Sequence, residues 1–252
     1  MKPTKKMVLK ALRHSENARQ NKEELDKVYP GCFFLDSPET DTQGFVFQKD
    51  VGGKYDVYIF FRGTQQIRDW LTDLNAFHTV YPYGNRNSKI RVHQGFIKAY
   101  KSVRSDIHRI LNNIRGDLGQ VIIGGHSLGG ALSILCAVDI QYNFTDCIEC
   151  YPSGNPMPGN KAFAESYNSR VPLTFRTYMR KDVVPLMPPK WFGKYTNGGY
   201  THAGNPNPIG PGKFWYGLIN WIKRHFKSAN IAADLTNHSM ALYKQEAGKM
   251  GQ

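Results

Sequence analysis

Apolar residues along the chain fall into short β-branched and aromatic runs separated by longer stretches of helical period. Tyr55 to Phe61 is rich in Tyr, Val, Ile and Phe and reads as a strand. Val121-Ile122-Ile123 is a short buried strand, and Ile148–Tyr151 and Val171–Met179 predict two more. Between them, Gln94 to Leu111 places Phe96, Ala99 and Val103 on one side of a helix, and Ala131 to about Tyr142 predicts another. Residues 4–29 read as one basic, moderately amphipathic helix closing near Tyr29-Pro30-Gly31. Two further stripes have helical period. Ile67, Trp70, Leu71 and Leu74 recur at i, i+3, i+4 and i+7, and so do Trp215, Leu218, Ile219 and Ile222, continued by Phe226. Strands alternating with helices imply an α/β fold with a mostly parallel central sheet and helices on both faces. With no repeat, low-complexity tract or linker, a single domain over residues 1–252 is expected.

Composition narrows the class. Hydrophobic residues make up 40% and charged residues 21%, a balance that buries a core and excludes a disordered chain. The longest apolar run, Val57 to Phe61, is far too short to span a bilayer. Residues 1–30 are basic at the start, but Lys10, Arg13, His14 and Glu16 interrupt any apolar stretch, so no secretory signal is read. The expected location is intracellular or particle-associated, with peripheral membrane contact. Of four cysteines, Cys32 and Cys136 are isolated, and Cys147 and Cys150 form a CxxC. No second CxxC or histidine pair accompanies it, and strand alternation would turn the two thiols to opposite faces, so packed thiols are expected rather than a metal site.

The formal net charge of +13 calls for an acidic partner. No zinc finger, RNA-binding signature or basic zipper is present, so nucleic acid is not expected. An anionic lipid surface suits the rest of the chain, each nearby Lys or Arg contributing about 1 kcal/mol. The segment 213–227 carries Asn220, Lys223, Arg224 and Lys227 largely opposite its apolar stripe, which is the pattern of an interfacial helix; a helix packed on its own core has the same pattern. Nothing in the sequence signals an oligomeric state.

The candidate chemistry lies in Gly125-His126-Ser127-Leu128-Gly129, a GxSxG pentapeptide. A buried strand precedes it and a helix follows, which is the context a strained nucleophile elbow needs. Ser127 would be the nucleophile, and the N–H of Leu128 would donate to the developing oxyanion. In such sites the acid and then the base follow the serine along the chain. Among the later acids, Asp139 falls inside a helix and Asp146 before a strand, whereas Asp182 follows a strand's C-terminal edge. From residue type alone the base is open among His202, His225 and His238.

Phe61-Arg62-Gly63-Thr64, Ile67 to Leu74, Val92 to Phe96, Gly125 to Gly130 and Tyr151 to Asn160 occur in order. Together they resemble the class 3 lipase family, triacylglycerol lipases of filamentous fungi with plant phospholipases A1 as relatives. The resemblance covers about Tyr55 to Tyr243. It implies an α/β-hydrolase fold with a short helical lid, and a serine hydrolase cleaving lipid esters without metal or cofactor. It assigns Asp182 as the acid and His238 as the base, and Thr64 joins Leu128 in the oxyanion hole. It makes the stripe of Ile67, Trp70, Leu71 and Leu74 the lid; an ordinary core-facing helix has the same spacing. Two alternatives stay open: a lipid acyltransferase, and a lipase-like scaffold that binds without catalysis.

Overall fold

The computed structural model describes residues 2–63, 78–80, 88–188, 199–211 and 235–251. The expected lid residues and the segment 213–227 lie outside them. The first strands are β1 (Phe33–Ser37), β2 (Thr42–Val51), β3 (Lys54–Phe61), β4 (His78–Val80), β5 (Arg91–His93) and β6 (Leu118–His126). They are followed by β7 (Ile148–Ser153), β8 (Gly159–Asn160), β9 (Phe175–Met179), β10 (Tyr200–Thr201) and β11 (Asn205–Ile209). The helices are α1 (Lys5–Asn17), α2 (Lys22–Val28), α3 (Gln94–Asn113), α4 (Leu128–Asn143), α5 (Lys161–Arg170) and α6 (Met240–Ala247).

The main sheet has seven strands in the order β1-β2-β3-β6-β7-β9-β11. From β3 onward every pairing is parallel, as the alternation of strands and helices predicts. The β1–β2–β3 edge is an antiparallel meander that hydrophobic pattern alone did not indicate. Its second hairpin turns at Gly52-Gly53, both at positive φ (66° and 86°), so Val51 pairs directly with Lys54. A second, antiparallel sheet runs β10-β8-β5-β4.

Strand alternation divides the core. Val57, Ile59 and Phe61 of β3 and Val121 and Ile123 of β6 face a cluster with α3, α4 and α5. Tyr58, Phe60 and Ile122 face the opposite way, into a cluster with Ala11 of α1 and Leu25 of α2. Each such fully buried side chain contributes about 1.5–3 kcal/mol. Helix α4 is apolar almost all round and is correspondingly buried. Its one carboxylate, Asp139, is fully buried and is met by Tyr100, Arg104 and His108 of α3.

Two expectations are corrected. Residues 4–29 form two helices, not one. Asn21 breaks the run by capping α2, its side chain accepting the Glu24 N–H at 2.9 Å, with Glu23 and Glu24 at the positive end of the new helix. Tyr29 ties the pair together: its hydroxyl accepts from Asn17 at 2.8 Å and donates to His14 Nδ1 at 2.6 Å. The strand expected over Val171–Met179 begins only at Phe175, with a single bridge from Thr174 to Cys150 before it. Pro172 lacks the N–H that a longer ladder would need. The cysteines are unpaired, and Cys147 and Cys150 differ as strand alternation requires: Cys150 is packed as expected, whereas Cys147, just before β7, is exposed rather than packed. Among the described residues no helix is long and apolar enough to cross a membrane.

Candidate active site

Strand β6 delivers the chain to Ser127 and α4 leaves from Leu128, so the serine occupies the turn between them. Its backbone is at φ 60°, ψ −128°, a conformation that costs a side-chain-bearing residue about 1–3 kcal/mol and persists only where the surroundings enforce it. The enforcement comes from close packing. A Cβ on Gly125 would strike the Gly129 backbone, and one on Gly129 would strike the Phe61 carbonyl. Only glycine at both positions lets α4 start hard against the sheet. The Ser127 N–H is anchored on the Ser153 carbonyl of the neighbouring strand at 2.9 Å. Its Oγ is buried and has no hydrogen-bond partner among the described residues. The Leu128 N–H lies in the first turn of α4, without an intrahelical acceptor and at the positive end of the helix.

Three residues beyond the end of β9, Asp182 is fully buried. Its Oδ1 accepts the Val184 N–H at 2.9 Å. Its Oδ2 accepts from the Tyr243 hydroxyl at 2.6 Å and from His238 Nδ1 at 2.7 Å. A carboxylate acceptor fixes the proton on Nδ1, which leaves the Nε2 lone pair of the neutral imidazole available. That Nε2 is buried and has no hydrogen-bond partner among the described residues. His238 closes the short helical turn Leu235–His238, and Ser239 then caps α6. Tyr243, farther along that helix, also accepts the Met179 N–H at 3.1 Å, so one phenol joins α6 to the end of β9 and to the acid. Burial and then the Asp182 charge push its pKa well up, keeping the phenol protonated.

His126 supports the same arrangement from below. Its Nε2 donates to the His238 carbonyl at 2.8 Å, and the two rings stack with centroids 4.5 Å apart. Its Nδ1 faces the Ser153 hydroxyl at 3.2 Å. Complete burial, reinforced by the neighbouring His238, holds this imidazole neutral. Ser127, His126 and His238 line a cavity of about 420 Å³, together with Gly63 and with Ser15, Glu16 and Arg19 from the α1 end.

The fold therefore brings Ser127, Leu128, Asp182 and His238 to one place. Of the other histidines, His202 donates from Nε2 to the Pro185 carbonyl at 2.6 Å, and His225 lies outside the described residues. Thr64 also lies outside them, as do Ile67, Trp70, Leu71 and Leu74. Gly63, immediately before Thr64, packs on the elbow: a Cβ built on it would stand 3.1 Å from the Ser127 Cβ. The sequence reading assigned no role to His126 or Tyr243. The only signal for His126 was its place beside the nucleophile within the pentapeptide, and Tyr243 carried none.

A parallel sheet carrying a strained serine between strand and helix, with acid and histidine supplied later in the chain, defines an α/β-hydrolase. Residues 58–192 match the family model Lipase (class 3), and the chain belongs to this family. It is 33% identical over 170 residues to the lipase of Rhizomucor miehei, covering 65% of this chain and 44% of that protein. It is 32% identical over 153 residues to the chloroplastic phospholipase A(1) DAD1 of Arabidopsis thaliana, covering 54% and 34%. The chain thus spans less than half the length of these curated relatives. A solved triacylglycerol lipase, described as having a serine protease triad as its catalytic centre, superposes with a TM-score of 0.68 and 28% identity over 84% of this chain and 83% of its own.

Proposed function

We propose that the chain hydrolyses carboxylic esters of lipids through an acyl-enzyme on Ser127. The observation that carries this reading is that Ser127 and His238 line one cavity, each with a buried atom, Oγ and Nε2, that has no hydrogen-bond partner among the described residues, while His238 Nδ1 is held by Asp182.

In this mechanism His238 Nε2 takes the Ser127 hydroxyl proton as Oγ attacks the ester carbonyl carbon. The resulting imidazolium is stabilised by Asp182, which stays ionised. The carbonyl oxygen becomes an oxyanion that accepts from the Leu128 N–H and from Thr64, each well-placed donor contributing about 2.7–4 kcal/mol. Collapse breaks the bond to the alcohol, which leaves with the proton from His238. Water, deprotonated by the same nitrogen, then attacks the acyl-enzyme; the C–Oγ bond breaks, Ser127 recovers its proton and a fatty acid is released. The packing of Gly63, its chain neighbour, against Ser127 supports Thr64 in its role.

The proposed lid is the stripe from Ile67 to Leu74. Its apolar side chains would exchange protein contacts for lipid contacts on opening, and the net charge of +13 favours anionic surfaces. The test is fatty-acid release from a panel of triacylglycerol, monoacylglycerol and phospholipid. Release from at least one, lost in Ser127→Ala, is expected. No release from any, with a folded protein, would leave a binding scaffold instead.

A further inference from the structure

The cavity that holds Ser127 and His238 is not apolar throughout. Ser15 and Glu16 of α1 and Arg19, just beyond its end, also line it. The two charges there are treated differently. Lys244 of α6 grips both oxygens of Glu16, at 2.8 and 2.6 Å, so the carboxylate is neutralised within the protein. Arg19 has no ion pair or side-chain hydrogen bond among the described residues, and it is exposed. Among the described residues that line the cavity, Arg19 is thus the one Lys or Arg, and it carries no ion pair.

Its charge reaches the site. Arg19 lines the same cavity as His126 and Ser127, and its charge adds, after burial and His238, to what keeps His126 neutral. A guanidinium presents a planar fork of donors that matches a phosphate, and such charge-assisted pairs are stronger than neutral ones. A cavity of about 420 Å³ falls in the size range of small-molecule sites, which leaves room for a short glyceryl ester and an adjoining phosphate.

We propose that Arg19 is a specificity-determining residue that binds the phosphate of a phosphoglyceride while Ser127 attacks its ester, so that the substrate class is anionic phosphate-bearing lipid esters. This rests on the reading of Ser127 as nucleophile. Glu16 and Lys244 serve as a positioning pair: by taking up the neighbouring carboxylate, Lys244 keeps it from competing for Arg19.

The test uses short-chain esters below their aggregation concentration, so that attraction to a charged surface does not enter. Dibutyroyl phosphatidic acid and dibutyroylglycerol differ only in the phosphate. Arg19→Gln should lower kcat/KM on the phosphatidic acid by about tenfold, mostly through KM, and leave the neutral ester unchanged. Arg19→Lys should recover part of the loss. Lys98→Gln, which removes an exposed charge on α3 far along the sequence, should change neither. The same rate on both substrates in Arg19→Gln as in the starting protein would overturn the proposal, and so would an equal loss on both. Inorganic phosphate at the same concentration should not inhibit hydrolysis of the neutral ester; Arg19-dependent inhibition by it would mean a site for free phosphate and overturn the headgroup assignment. If the unaltered protein cleaves neither ester, the reading of Ser127 itself fails, a result distinct from loss of discrimination.

Discussion

Asp139 and Asp182 are both completely buried, and each accepts from a tyrosine hydroxyl and a histidine ring. They differ in what else they hold. Asp139 is gripped by Arg104 through two bonds of 2.9 and 3.0 Å, and Asn143 adds another at 2.8 Å. Its charge is cancelled where it lies, and it joins α3 to α4. Asp182 accepts one backbone N–H besides Tyr243 and His238, and no Arg or Lys is bonded to it among the described residues. Its charge is therefore directed at one imidazole, and in the proposed mechanism it is matched only when His238 takes a proton. A buried carboxylate with a permanent cation is a fastener; one whose cation forms only during turnover is part of a catalytic relay.

The comparison breaks most visibly at the reacting atoms. Ser127→Ala and His238→Ala should each lower kcat by several orders of magnitude on any ester the protein accepts, with the melting temperature nearly unchanged. His202→Ala should retain most activity, because its Nε2 is bound to the Pro185 carbonyl. An inactive but folded His202→Ala beside an active His238→Ala would move the base.

Next in size is Asp182→Asn. An amide in place of the carboxylate no longer selects the Nδ1–H tautomer, and kcat should fall roughly ten-thousandfold with the fold retained. Asp139→Asn should behave in the opposite way. Turnover should stay within a factor of about three, whereas stability should fall by about 2 kcal/mol, less than for a fully enclosed pair because Arg104 keeps some contact with water. Denaturant unfolding alongside ester kinetics separates the two.

The same carboxylate sets a pH dependence. Burial alone would raise the Asp139 pKa, but the bonds from His108, Arg104 and Tyr100 outweigh it and the net shift is downward. A depressed carboxylate contributes stability at pH values above its unfolded pKa, and that contribution is lost as pH falls through the folded value. Stability of the native sequence should therefore drop below about pH 4, and the drop should be shallower in Asp139→Asn. An identical acid limb in both proteins would argue against the network. Tyr243→Phe is the smallest change: loss of one bond to Asp182 and one from Met179 should cost about 1 kcal/mol of stability and slow turnover several-fold.

What could be read from the sequence follows from the range of each interaction. The elbow was legible because its constraint is local: two glycines and a serine at fixed spacing, between a strand and a helix. Asp182 was legible as the acid that follows a strand's end. His238 stayed one of three histidines on residue type alone, since its pairing with Asp182 spans 56 positions and only the fold, or the family resemblance, closes that distance. The bond from His126 to the His238 carbonyl spans 112 positions, and that from Tyr243 to Asp182 spans 61; neither leaves a mark on the local pattern. The break between α1 and α2 was missed for a different reason. The basic charge of residues 4–29 runs on across Asn21, and the cap that starts a new helix there is a single side chain within that run. The antiparallel β1–β2 edge lies where alternation is interrupted by charged positions exposed at the rim.

The central claim is that Ser127 is a nucleophile activated by a histidine that Asp182 orients. It is tested most directly by treating the protein with a fluorophosphonate and locating the adduct by peptide mass spectrometry. The account predicts one adduct per chain, on Ser127, forming fast in the native sequence and in Asp139→Asn, and orders of magnitude more slowly in His238→Ala and Asp182→Asn. Labelling of another residue, or a Ser127 rate indifferent to His238 and Asp182, would contradict it.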